Sequence, residues 1–181
     1  MGRQNNQTLI GSWIVAAGTV ASAVNASINA NTGDDDEGLN LIGNTLQATG
    51  NGVVANDSDS ILSASGNIIQ AAGNSTIIYS ILTDLEKRDD LNLVIKGNLL
   101  QALGGLVGFS VTFEADPSLT NAYKLNGELL EVVGNSIQAL VAGRELEGID
   151  AGHFSALGSW IQAIGAIIVA LAITKQERRR A

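Results

Sequence analysis

The chain has 181 residues, a formal net charge of −8 and only 15% charged residues. That is long enough for one cored domain or a short repeat array, but with few ions to cover a solvent face. Between Gln4 and Thr174 five Lys or Arg stand against 17 Asp or Glu, a balance that repels phosphate and argues against nucleic acid as a partner. The absence of cysteine and the single histidine, His153, exclude disulfides, thiolate metal sites and multi-histidine metal sites.

At the N-terminus, Arg3 followed by LIGSWIVAAGTVASAVNA has the outline of a secretory signal. However, GSWIVAAG at Gly11 is nearly repeated as GSWIQAIG at Gly158, so the segment reads as a first repeat and not as a cleaved leader. MGRQNN lacks the Ser or Thr that N-myristoylation requires. The later units are GNTLQATG at Gly43, GNIIQAAG at Gly66, GNLLQALG at Gly97 and GELLEVVG at Gly127. Successive units are spaced by 32, 23, 31, 30 and 31 residues, and a period near 30 marks a repeat architecture running over residues 1–181 as one domain.

Gly and Asn disfavour strands, and the apolar residues do not alternate. They fit a helix. Counting each first glycine as zero, positions 2, 3, 6 and 10 carry Leu99, Leu100, Leu103 and Val107 in one unit, and Leu129, Leu130, Val133 and Ile137 in the next. These fall on one side of a helix at 100° per residue. The other side carries positions 0, 1, 4, 7 and 8. Candidate caps are Asp59 or Ser60 before the third helix, Asp89 or Asp90 before the fourth, Asp116-Pro117 before the fifth and Asp150 before the sixth. The expected fold is all-α, with six antiparallel amphipathic helices joined by short linkers.

An interior glycine costs about 1 kcal/mol relative to alanine. Repeated pairs seven residues apart therefore imply a return, the close approach of a second backbone. Asn and Gln beside them donate and accept without a charge to desolvate. The face made by Gly43, Asn44, Gln47 and Gly50, by Gly66, Asn67, Gln70 and Gly73, and by Gly97, Asn98, Gln101 and Gly104 is accordingly expected to be a helix-contact seam. Gly127 and Gly134 continue it, as do Gly158, Gln162 and Gly165. The competing reading is that these amides face water, yet solvated helices normally carry i,i+4 ion pairs. Here Gln4–Gly33, Gly38–Asn56, Ser60–Thr83, Gly97–Phe113 and Ala156–Thr174 hold no charge.

Catalytic signals are weak. Glu128 and Glu131 form an i,i+3 carboxylate pair where other repeats have Asn or Ser and Gln, and are read as a solvent-facing or cap-like variant of the repeat. DDDEG at Asp34 does not match the EF-hand spacing, His153 is expected to be exposed, and no G-x-S-x-G elbow or P-loop lysine occurs. Neither an enzymatic activity nor a cofactor nor a small-molecule substrate is expected.

Long uncharged spans also invite a membrane reading, best for the first and sixth helices. The sixth is followed by Lys175, Arg178, Arg179 and Arg180, placed to meet an anionic surface. Against full insertion, the second helix is rich in Asn, Gln and Thr, and the fifth carries two glutamates.

The units GNTLQATG, GNIIQAAGNS, GNLLQALGG and GSWIQAIG resemble the "repetitive" proteins of unknown function of Bacillus and its relatives, over essentially the whole chain. The resemblance implies a small bacterial helical-repeat protein and supplies no catalytic residue. Val15 and Glu131 depart from the motif's glutamine. The expected function is structural and non-enzymatic, a chain that self-associates into a homo-oligomer or polymer, in the cytoplasm or with helices one and six at a membrane. In that assembly Leu99, Leu103, Leu130 and Val133 are buried. The alternative is a membrane-embedded bundle forming a pore or conduit, in which they touch lipid.

Overall fold

A computed structural model describes residues 6–33 and 36–180, with no side-chain description at Arg180. It contains six helices: α1 (Gln7–Thr32), α2 (Glu37–Asn56), α3 (Ile61–Leu82), α4 (Lys87–Glu114), α5 (Leu119–Leu146) and α6 (Gly152–Arg180). No strand occurs among the described residues, so the chain is all-α.

Helix starts follow local polar chemistry. Asp36 accepts the amide of Leu39, Ser60 that of Ser63 and Ser118 that of Asn121. Asp150 accepts the amide of Gly152. Two expected starts are corrected. α4 begins at Lys87, so Asp89 and Asp90 lie in its first turn, where they favour the helix dipole without capping it. α5 begins after Ser118, because that hydroxyl takes the cap that Asp116-Pro117 was expected to supply. α1 stops at Gly33, whose φ of 71° allows its amide to close back on the Asn29 carbonyl.

Each helix packs against its sequence neighbours, α1 also packs against α6, and no helix backbone approaches one across the bundle. The six therefore close a ring. Two kinds of seam alternate around it. In the first kind, glycines of paired helices meet: Gly11 with Gly50 and Gly18 with Gly43 between α1 and α2. Gly66 meets Gly104 and Gly73 meets Gly97 between α3 and α4, and Gly127 meets Gly165 and Gly134 meets Gly158 between α5 and α6. In every pair the earlier glycine of one helix faces the later glycine of the other. The remaining seams are filled by side chains. Val15, Ala16, Ala166 and Ala170 pack between α1 and α6, with Ile167 beside them. Val132 of α5 lies over Gly105 of α4.

The apolar stripe points away from the ring's centre. Leu99 is 53% exposed, Leu103 50% and Val133 40%, so the helices of one chain do not cover these positions. The buried residues include Ser12, Thr19, Asn44, Gln47, Asn51, Asn98, Gln101 and Gln162, beside small apolar ones such as Ala23, Ala163 and Ala170. The physical reason lies in the seams. Glycine sets which helix faces approach, and the polar positions share that face, so the large apolar side chains are turned outward.

Candidate functional site: a polar interior

The seam glycines bring the motif's fourth position into the ring. A Cβ added at Gly18 would lie 2.9 Å from the Gln47 Cγ, at Gly73 2.8 Å from the Gln101 Cγ and at Gly104 2.7 Å from the Gln70 Cγ. Gly134 stands in the same relation to Gln162, Gly50 to Val15 and Gly165 to Glu131. The absent side chain of each last glycine is thus the space used by the facing helix's fourth-position stem. Gly11 and Gly18 belong to this set although the candidate seam began only at Gly43. Their signal was available in GSWIVAAG, which keeps both glycines.

Four glutamines meet in the middle. Gln162 Nε2 donates to Gln47 Oε1 at 3.0 Å and to Gln101 Oε1 at 3.3 Å, and its Oε1 accepts from Gln138 Nε2 at 3.0 Å. Gln47 in turn donates to the Ser22 hydroxyl at 3.1 Å. The cluster ties together α1, α2, α4, α5 and α6 across space that no helix backbone fills. Gln138 was not singled out in the sequence, because it lies outside the eight-residue unit. The asparagines at positions 1 and 8 play a local part: Asn44, Asn74 and Asn98 each donate to the carbonyl four residues earlier. Asn67 does the same through Ser63.

Two cavities lie along the axis, each lined by all six helices. One of about 440 Å³ is bordered by Ser12, Asn51, Asn67, Gln70, Glu128 and Glu131, among others. The other, of about 220 Å³, is bordered by Asn25, Asn44, Asn98, Gln138, Ser159 and Gln162. Gln47, Gln101 and Gln162 form the inner border of the smaller chamber, on the side where the larger one begins.

Glu128 and Glu131 do not face solvent, which corrects the expectation of an exposed variant repeat. Glu131 is 9% exposed and Glu128 is half-buried, and both line the larger chamber. The stem of Glu131 occupies the space above Gly165 as a glutamine would, and that geometry carries its carboxylate inward. Glu128 Oε1 accepts from the Thr112 hydroxyl at 2.9 Å and lies 4.0 Å from Lys124 Nζ. Among the described residues no group of three His, Cys, Asp or Glu is arranged to hold a metal ion.

The remaining candidates lie outside the ring's interior. Lys175, Arg178 and Arg179 are exposed along the last turns of α6, and Lys175 Nζ sits 5.8 Å from the centre of the Tyr123 ring. The Arg180 side chain, together with Arg3, Asp34 and Asp35, lies outside the described residues. His153 is exposed. Every aromatic residue stands within roughly three turns of a helix end. Trp13, Phe109, Phe113 and Tyr123 lie toward one end of the ring, and Tyr79, Phe154 and Trp160 toward the other. The two indoles donate outside the ring's interior, Trp13 to Thr174 at 3.0 Å and Trp160 to Ser27 at 2.9 Å. α1, α4 and α6 are each long and apolar enough to cross a membrane.

Comparison with known families matches residues 6–170 to a family of unknown function, DUF6944. No curated protein and no solved structure matches the chain.

Proposed function

The chain belongs to the DUF6944 family of unknown function, and from its own geometry we propose that it is a membrane-embedded six-helix ring. In this reading it encloses a polar path, closed at its middle by the glutamine cluster, for small polar or cationic solutes, and it is not an enzyme. The observation that carries the reading is the inverted polarity. Most of the large Leu, Ile and aromatic side chains are exposed on the outside, while Asn, Gln, Ser, Thr and Glu131 share the inside with alanines and a few Val, Ile and Leu. Water does not favour that distribution, since contiguous apolar surface of this extent is rare on soluble monomers. Lipid does, because in hydrocarbon the polar groups must find partners within the protein.

Three further features support it. Helices of 20 to 29 residues match the roughly 20 needed for the hydrocarbon core. The aromatic residues gather toward both ends, where interfacial belts form. Charged residues on the outside concentrate near the ends. Lys96 is the exception, on a stem long enough to reach an interface. Kinship with the bacterial repetitive proteins belongs to the same proposal and rests on the six glycine units.

Self-association is the rival reading, since copies of the chain would also bury an apolar exterior. Membrane fractionation separates the two. The expected result is a chain that stays in the membrane pellet through alkaline carbonate and leaves it in mild detergent as a monodisperse particle. A monodisperse species or a sedimentable polymer in plain buffer overturns membrane embedding, and the polymer favours assembly.

A further inference from the structure

We propose that the larger chamber is a binding site for a primary-amine cation, with Glu131 and Glu128 as its anionic partners. The inference deepens the function proposed above. It rests on the chambers being the ring's solute space and not on the membrane.

The first observation is a deficit of positive charge. Five carboxylates border the chamber, Asp57, Asp59, Glu128, Glu131 and Glu177, against one cation, Lys124, which stands near Glu128. Glu128 has Thr112 and Lys124 for its Oε1, while its Oε2 is buried and receives no donor. Glu131 is nine-tenths buried, borders the chamber and receives no hydrogen bond from any described residue. Glu128, three residues earlier on α5, presents a second carboxyl group to the same chamber. A buried carboxylate without a donor is costly, and a cation brought in with its own N–H groups removes that cost.

The second observation is the room and its walls. About 440 Å³ lies within the range of small-molecule pockets, roughly 300–1,000 Å³. A bare calcium or magnesium ion requires six or more oxygens in a tight shell, and among the described residues no group of three His, Cys, Asp or Glu is arranged to supply it. A quaternary ammonium is best held by aromatic faces, and no aromatic residue borders the chamber. An ammonium carries three N–H donors. Glu131, the free oxygen of Glu128 and the side-chain carbonyl of Gln70 are acceptors suited to them. Val15, Val169 and Ile173 on the same walls suit a short alkyl tail.

The test is calorimetric titration of the full chain with n-butylammonium chloride at fixed ionic strength, in whichever medium keeps the protein monodisperse. Saturable binding at one site is expected, with tetramethylammonium and potassium at least tenfold weaker. Glu131→Gln restores the motif's usual residue and keeps the stem over Gly165, so helical content is retained while affinity falls at least tenfold. Glu128→Gln weakens binding about fivefold, and Ser155→Ala, in the smaller chamber, leaves it unchanged. No saturable binding by the parent chain overturns the site, as does equal affinity in both glutamine variants or equal binding of potassium. Amine binding by a chain soluble without detergent overturns membrane embedding and leaves the site standing. A detergent-requiring chain that takes no amine overturns the site alone.

Discussion

A glycine in this protein has one of two values, depending on what a methyl group would meet. At Gly134 an added Cβ would lie 2.6 Å from the Gly158 carbonyl and 2.7 Å from the Gln162 backbone amide, both rigid parts of the facing helix. At Gly52, also within a helix, it would meet nothing within 4 Å. Gly52→Ala should therefore stabilise the fold by up to about 1 kcal/mol, through helix propensity alone. Gly134→Ala should destabilise it by about 1–3 kcal/mol as the seam is forced apart. Opposite shifts in the thermal midpoints of the two variants check this, and shifts of the same sign would remove the close-contact explanation. The repeat's spacing already separated these residues, since Gly134 is a motif glycine and Gly52 is not. What the spacing did not reveal was the destination of Glu131. A carboxylate in place of glutamine reads as solvated when the inward face is unknown, and only the position of Gly165 beneath its stem shows otherwise.

Between elements, the glutamines act as cross-ties over space that no backbone fills. Gln162 serves Gln47, Gln101 and Gln138 together, so removing one partner strands donors and acceptors that the others then share. Gln47→Leu and Gln162→Leu should each destabilise the ring, and the double variant should differ from their sum by about 0.5–3 kcal/mol. Thermal denaturation of the two single variants and the double variant measures that coupling. Strict additivity would mean that the side chains do not meet. The existence and approximate extent of all six helices were legible from period and caps, because those are local properties. The starts of α4 and α5 were not, because several polar residues stand near each; Ser118 takes the cap of α5, while α4 begins after Glu86 with no side-chain cap. Nor could the meeting of Gln162 with Gln47 be foreseen. The two lie 115 residues apart and are joined only by closure of the ring.

At the scale of the molecule, the amphipathic pattern told which residues share a face and left open which face turns inward. A soluble core would place Leu103 and Val133 inside, and ordinary burial energetics favours that when the outside is water. Ring closure through α1 and α6 decides the matter here. Glycine seams bring the polar faces together, and small residues such as Ala166 and Ala170 complete the wall. The polar interior is thus a product of topology and small side chains acting together, and no single repeat contains the information for it.

The alternation of seams also bears on how such a chain enters a bilayer during synthesis. Each glycine-paired hairpin contains one helix apolar enough to cross by itself: α1 in the first, α4 in the second and α6 in the third. Its mate carries the amides or carboxylates that make solitary insertion costly. Delivery two helices at a time would let α1 bring in α2, α4 bring in α3 and α6 bring in α5, with the glycine contact as the coupling. In a translation system with glycosylation reporters, α2 alone should fail to integrate, whereas α1 and α2 together should integrate as a pair. Gly18→Leu with Gly43→Leu should abolish the rescue while leaving α1 integrated. Integration of isolated α2 would show that the hairpin is not the unit of insertion.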